Sequence, residues 1–303
     1  MRALQFRAYG GPEVLEWAEA PDPHAGPGQI RIAVRAASVN AIDRKVLTGM
    51  RSGGKSMVGT GYLGYDAAGV VDEVGEGSEF AVGDEVVGWS TTGSYAEHAL
   101  VGNVVRKPSG VSWEQAVGLP VASETAQRVL DQLQLKDGET LLLHGAAGAV
   151  GSIAAQLAKA AGATVIGTAS PANHDFLRSL GVIPVAYGEG LVDRVREVAP
   201  QGIDAVFDTA GQGGLKESIE LRGTTDRIVT IADFGAAELG VAASMGSTAS
   251  PEEIATGLTN QLQAAAAGNL TVRIAQTFTL AEAPKAQDLS ESGHAHGKVV
   301  VLP

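Results

Sequence analysis

Between residues 141 and 151 an apolar run, Leu141-Leu142-Leu143-His144, passes directly into Gly145-Ala146-Ala147-Gly148-Ala149-Val150-Gly151 and on into the helix-forming stretch Gln156-Leu157-Ala158. A buried strand joined to a helix by so short a glycine turn has few uses. The start of a helix offers unpaired main-chain N–H groups and the positive end of its dipole, so such a turn can hold the diphosphate of a dinucleotide. Gly148 would permit close approach, and Gly151 would let the helix pack on the strand. The strict three-glycine spacing is not met, because Ala146 stands where the first glycine belongs. A plain tight connection is the alternative, and the second strand that follows the helix argues against it.

The surrounding pattern extends this unit. Strand-like runs at 140–144, 164–168, 183–187, 205–209 and 227–231 alternate with helix-like runs at 149–161 and 171–180. Strands regularly separated by helices indicate crossover connections and a doubly wound parallel sheet. Ser112 and Gln115 fit a capping box that opens a helix to about residue 133, and Ser170-Pro171 supplies a cap with proline in the first turn. Before residue 112 the texture is different: short β-branched runs at 30–37, 69–74, 85–88 and 95–101 are divided by Pro12, Pro27, Gly77 and Gly83-Asp84. That is a mostly antiparallel β domain. An Ala-rich helix at 251–267 ends at Gly268, and the runs 274–280, 282–289 and 298–302 return to the first domain because the parallel sheet is already complete. The expected architecture is α/β, with a β domain from 1–111 and 270–303 and a dinucleotide-binding domain from 112–269.

A chain of 303 residues suits two domains. Its net charge of −12 excludes a field that attracts nucleic acid or anionic membrane, so an anionic ligand must be held locally. There is no cysteine, which removes disulfides, thiolate catalysis and sulfur-ligated zinc. Residues 1–6 alternate like a strand and not like a signal peptide, and no run is long enough to span a membrane, so a soluble cytoplasmic protein is expected. The strand that follows the first crossover ends Gly167-Thr168-Ala169-Ser170, with no acid before Asp175. An acid there would bind the ribose hydroxyls of NAD; small hydroxyl residues leave room for the 2′-phosphate of NADPH. Asn173, His174 and Arg178 are the candidates to face that phosphate, or else they simply face solvent.

Together with this turn, four further stretches resemble the quinone oxidoreductase branch of the medium-chain dehydrogenases: Ala8-Tyr9-Gly10-Gly11-Pro12-Glu13-Val14-Leu15, Ser38-Val39-Asn40-Ala41-Ile42-Asp43, Leu63-Gly64-Tyr65-Asp66-Ala67-Ala68-Gly69 and Val82-Gly83-Asp84-Glu85-Val86-Val87-Gly88. A final one is Gly293-His294-Ala295-His296-Gly297-Lys298-Val299-Val300. The resemblance implies a GroES-like β domain interrupted by the nucleotide-binding domain, and hydride transfer from NADPH to a quinone or an activated alkene such as an enone. It matches Asn40 to an asparagine beside the nicotinamide, Thr125 to a threonine at the base of the cofactor site, and Gly148, Ala149 and Val150 to the pyrophosphate turn. Ser170 and Tyr187 match residues that contact the 2′-phosphate, Asn173 stands where relatives often carry lysine, and Lys298 matches a family lysine. Thr209, Ala210, Ile231 and Phe234, at the ends of the next strands, complete the cofactor set.

The zinc enzymes of this superfamily carry a histidine ligand at the position of Tyr65, so the resemblance implies zinc-independent chemistry and, as is common in the family, a homodimer. Without a metal electrophile, an acceptor whose charge delocalises into a quinol or enolate is favoured. Tyr65, with Asn40, is the catalytic candidate; a packing role is its alternative. Other residues have plainer expectations: Asp43 as a helix N-cap, or else orienting Asn40 or contacting substrate, His144 as a core residue, His294 and His296 as a surface pair, Phe234 as core or pocket wall, Lys298 as a solvated strand edge. The competing functional expectation is an NADPH-binding sensor or structural protein with little turnover.

Overall fold

The computed structural model describes residues 1–293 and 295–303. The histidine pair noted above therefore cannot be placed, since His294 lies outside the described residues. The chain divides into two compact units, Met1–Val121 with Ala249–Pro303, and Ala122–Thr248.

In the first unit, strands Ile30–Ser38, Asp66–Val74, Glu85–Ser90 and His98–Arg106 pair antiparallel in that order, and the last pairs again with the first. Closure gives the sheet an inside. Ile30, Ile32 and Val34, two apart along one strand, turn inward against Val71, Val86, Ala99 and Val101. Strand Lys298–Leu302 adds antiparallel to the far end of Ile30–Ser38, and Ile274–Thr279 lies parallel outside it, so the late segment joins the sheet of this unit. A smaller sheet of Glu16–Glu19, Arg2–Phe6 and Gly61–Tyr62 contributes Leu4 and Phe6 to a second core with Val39, Leu47, Leu63, Tyr95 and Val299.

The second unit is one parallel sheet, ordered Ile183–Val185, Thr164–Thr168, Thr140–His144, Ala205–Asp208, Ile228–Thr230, Ala242–Ala243. Numbered from its own first strand the order is 3-2-1-4-5-6, that of the doubly wound dinucleotide fold. Thr140–His144 is buried along its whole length, which explains its three consecutive leucines, each worth about 1.5–3 kcal/mol of burial.

Three local expectations change. The helix anticipated over 112–133 is two helices, Trp113–Val117 and Pro120–Leu133, because Pro120 lacks an N–H and sits only where a helix begins. The capping box at Ser112 forms, with the Gln115 N–H donating to Ser112 Oγ at 3.2 Å. The run 171–180 begins as the 3-10 turn Pro171–Asn173 before the helix His174–Ser179. The unit boundary falls inside the expected 112–269 span: residues 112–121 and helix Pro251–Ala266 group with the first unit, where that helix packs on strand His98–Arg106.

One ion pair ties the loop before strand Thr140–His144 to the loop before Ile228–Thr230. The Arg227 guanidinium donates to both Glu139 oxygens, at 2.8 and 2.6 Å, and to Leu133 O at 2.9 Å. Hydrogen bonding from Arg227 lowers the Glu139 carboxyl from 4.5 to about 2. A carboxylate favoured in the folded state adds stability that is complete above its unfolded pKa, near 4.5, and is lost as pH falls through the folded value near 2. Glu139→Gln is therefore expected to flatten the pH dependence of urea unfolding below about pH 5. An unaltered dependence would remove this pair from the acid sensitivity of the fold.

Candidate functional site

The glycine turn of the second unit is built for close approach. Gly145 takes φ +71°, the left-handed bend that a side chain disfavours, and so does the work expected of a glycine at position 146. A Cβ on Gly151 would lie 2.2 Å from Gly145 O and 2.9 Å from Ala146 Cα, so only glycine lets helix Ala149–Ala160 seat on the turn. Gly148 caps that helix with no side-chain hydrogen bond, and Gly148, Ala149 and Val150 are partly exposed. The first-turn N–H groups are thus left for an anion, and the turn fits a dinucleotide diphosphate.

Apart from Thr125, the other candidates of this unit follow the carboxyl ends of successive parallel strands, which places them at one edge of the sheet. Thr209 Oγ1 donates to His144 O at 2.7 Å and braces the turn from the next strand. Asp208 accepts from the Ala210 N–H at 2.9 Å and, through its main-chain oxygen, from the Ile231 N–H at 3.0 Å, so both loops share one anchor. Tyr187 is exposed on a turn that Arg194 clasps by donating to Ala186 O, Gly188 O and Glu189 O at 3.0, 3.1 and 2.9 Å. Asn173 does not face solvent: it is 4% exposed and donates to Ser170 Oγ at 3.2 Å. Arg178 pairs with Asp175 in the open, and His174 Nε2 lies 3.3 Å from Ala169 O. Phe234 is 67% exposed, which rules out the core alternative. Thr125 is partly buried on helix Pro120–Leu133. His144 sits in the core between Ser218 Oγ, 2.8 Å from Nε2, and Thr168 Oγ1, 3.3 Å from Nδ1, and burial lowers its pKa.

In the first unit, strand register gathers four polar residues that are far apart in sequence. Ser38 pairs with Asp66 across one side of Ile30–Ser38, while Val300 pairs with Ser38 on the other, so Lys298 falls beside Asn40. Lys298 Nζ donates to Asn40 Oδ1 at 2.5 Å and to Asp66 Oδ2 at 3.1 Å. Asn40 Nδ2 and Ser38 Oγ donate to the same Asp66 oxygen at 2.8 and 2.5 Å, and the Val121 N–H donates to Asp66 Oδ1 at 3.0 Å. Lys298 is 2% exposed, so its expected place on a solvated strand edge is wrong: the strand is flanked on both sides.

Asn40, and not Asp43, is the N-cap of helix Ala41–Leu47. Asp43 is the third residue of the box and receives the Asn40 N–H at 2.8 Å, the Gly64 N–H at 3.2 Å and the Tyr95 hydroxyl at 3.3 Å. Burial pushes its carboxyl up to about 7, with Asp66 adding to the rise. Beside it lies a cavity of about 660 Å³ lined by Tyr62, Tyr65, Trp89, Thr91, Thr92 and Asn103 among others. None of its lining residues is Lys, Arg or His. Among the described residues no group of three or more His, Asp or Glu is arranged to hold a metal. The sequence signals for Ser38, Asp66 and the Trp89–Thr92 wall were weak, since an Asp in an apolar strand declares its partner only through register.

Two family models match: the alcohol dehydrogenase GroES-like domain over residues 26–109 and the zinc-binding dehydrogenase domain over residues 181–301. The quinone oxidoreductase of Pseudomonas aeruginosa is 31% identical, over 100% of this chain and 99% of that protein. The 2-haloacrylate reductase of a Burkholderia species is 31% identical over 97% and 96%. Among solved structures, the Escherichia coli quinone oxidoreductase complexed with NADPH superposes with a TM-score of 0.88 at 26% identity, covering 100% of both chains. The chain belongs to the medium-chain dehydrogenase/reductase superfamily, in its quinone oxidoreductase branch, and is an oxidoreductase.

Proposed function

We propose that the chain reduces a neutral, planar acceptor conjugated to a carbonyl, a quinone or an enone, with NADPH as the electron donor and without zinc. The observation that carries this reading is the turn 145–151, where a left-handed glycine, an uncapped helix start and a glycine packed against main chain leave room and N–H groups for a diphosphate. The NADPH complex of the Escherichia coli relative supports the same cofactor here. When bound, the nicotinamide supplies the hydride. Gly148, Ala149 and Val150 would hold the diphosphate, with Ser170, Asn173 and Tyr187 toward the adenosine phosphate. Thr125, Thr209, Ala210, Ile231 and Phe234 would bound the rest, and Asn40 and Lys298 would serve the nicotinamide end.

The acceptor class follows from the cavity of the first unit. Aromatic walls from Tyr62, Tyr65 and Trp89 suit a flat ring, and hydroxyls from Thr91 and Thr92 suit carbonyl oxygens. With no cationic side chain in the lining, a carboxylate such as an acrylate would be desolvated without compensation. Tyr65, 38% exposed, would donate a hydrogen bond to the oxygen on which charge develops. The zinc-free reading is supported by Asp66, whose carboxylate is already neutralised by a buried ammonium at 3.1 Å, and by Tyr65 and Asn40, which offer no strong metal ligand.

The test is an NADPH titration followed by NADPH oxidation with an ortho-quinone, an enone and a 2-haloacrylate. Turnover with the first two and about tenfold or more poorer use of the acrylate is expected. Tight NADPH binding without turnover across the panel supports a binding module instead, and stoichiometric zinc in the active protein overturns the metal-free reading. A further expectation concerns cofactor choice. Asn173→Lys adds a cation near Ser170 but must lead it out of a buried position, so the NADPH-to-NADH affinity ratio should rise only several-fold, about 1 kcal/mol. An unmoved ratio would place the 2′-phosphate elsewhere. Family membership leads us to propose a cytoplasmic homodimer as well, checked by sedimentation.

A further inference from the structure

Lys298, Asp66 and Asn40 form a buried device whose purpose is not explained by stability. An isolated buried ion pair contributes little compared with apolar residues of the same volume, because desolvation offsets the attraction. Its geometry is more informative than its energy. A carboxamide can ordinarily turn over by 180° and exchange its donor and acceptor ends. Here Oδ1 faces an ammonium, which only donates, at 2.5 Å, and Nδ2 faces a carboxylate, which only accepts, at 2.8 Å. Turning the amide over would set N–H against ammonium and oxygen against carboxylate. The backbone is fixed as well, by the Asn40 N–H to Asp43 Oδ2 bond.

We propose that Lys298 is a positioning residue which, with Asp66, locks the Asn40 carboxamide so that its second Nδ2 hydrogen is a one-way donor to a carbonyl oxygen of a bound ligand. One Nδ2 hydrogen is consumed by Asp66, and the other has no partner among the described residues. Asn40 donates its main-chain N–H to Asp43, which lines the cavity together with Gly64, whose N–H Asp43 also accepts. The ligand must present an acceptor atom there; a group that can only donate is rejected. A carbonyl oxygen can come from the nicotinamide carboxamide or from the quinone or enone, and in that sense the inference rests on the function proposed above.

The experiment removes both charges together, since Lys298→Met alone would leave a lone buried carboxylate. In the Lys298→Met/Asp66→Asn variant, the side-chain amide of Asn40, assigned by its loss in Asn40→Leu, is expected to exchange its hydrogens with solvent about tenfold faster than in the parent protein. Lys298→Arg is expected to keep the slow exchange. Titration then finds the oxygen. If it belongs to the cofactor, NADPH binds about tenfold more weakly to the uncharged variant while 2′,5′-ADP, which lacks the nicotinamide, binds as before. If it belongs to the acceptor, both affinities hold and kcat/KM for the ortho-quinone falls by a similar factor. In either arm Asn40→Leu in the uncharged background adds no further loss. Unchanged amide exchange, or losses from Asn40→Leu and the uncharged pair that multiply, overturns the inference. A parent protein that binds no NADPH defeats the functional reading instead, and the amide exchange still decides the role of Lys298.

Discussion

Gly148→Val is expected to abolish NADPH binding while leaving the fold standing. The backbone at Gly148, φ −76° and ψ 176°, is extended and open to any residue, and a Cβ there meets only Gly145 O at 3.3 Å. The protein should therefore unfold within about 1 kcal/mol of the parent. The branched side chain, however, stands over the N–H groups of Ala149 and Val150, where a diphosphate must come within hydrogen-bond distance. A loss of about 100-fold or more, ~2.8 kcal/mol, follows. Gly151→Val should behave differently: its Cβ would lie 2.2 Å from Gly145 O, so strand and helix must part, at about 1–3 kcal/mol or more in stability. Parallel urea unfolding and NADPH titration separate the two. A Gly148→Val protein that titrates like the parent would take the turn out of the cofactor site.

The second large effect is in the first unit. Asp66→Ala removes the acceptor shared by Lys298, Asn40, Ser38 and the Val121 N–H, and strands an ammonium that is 2% exposed. Leaving one member of a buried pair uncompensated costs about 3–5 kcal/mol. The urea midpoint should drop accordingly. A shift below about 1 kcal/mol would mean that water or movement of Lys298 relieves the charge, and that the network is looser than its distances indicate.

The fold was legible wherever one local pattern decided it. Thr140–His144 and Thr164–Thr168 are buried parallel strands whose apolar runs stop where glycine or polar residues begin, and Lys298–Leu302 is a β-branched run beginning after Gly297. The glycine turn between strand and helix was legible for the same reason, although its bend lies at Gly145 and not one residue later. What stayed hidden depends on register. Nothing local in Lys298 says that it faces Asn40, and nothing in Asp66 says that it faces Ser38; both follow from strand pairs separated by hundreds or tens of residues. Asp43 was misassigned by three positions within its box because Asn40 and Asp43 are both good cap residues, and only the observed hydrogen bonds distinguish them. The cavity wall at Trp89–Thr92 carries no local signal, because its aromatic and hydroxyl side chains converge with Tyr62 and Tyr65 only after the sheet closes.

Strand Lys298–Leu302 also dictates an order of events on the ribosome. It sits between Ile274–Thr279 and Ile30–Ser38, so the six-stranded sheet that begins with Ile30–Ser38 waits for residues made some 260 positions later. The segment 122–248, by contrast, carries every strand of its own sheet. During vectorial synthesis the middle of the nascent polypeptide can therefore reach protease resistance first, reversing the usual amino-terminal precedence, while the six-stranded sheet of the β unit stays incomplete until Lys298–Leu302 emerges.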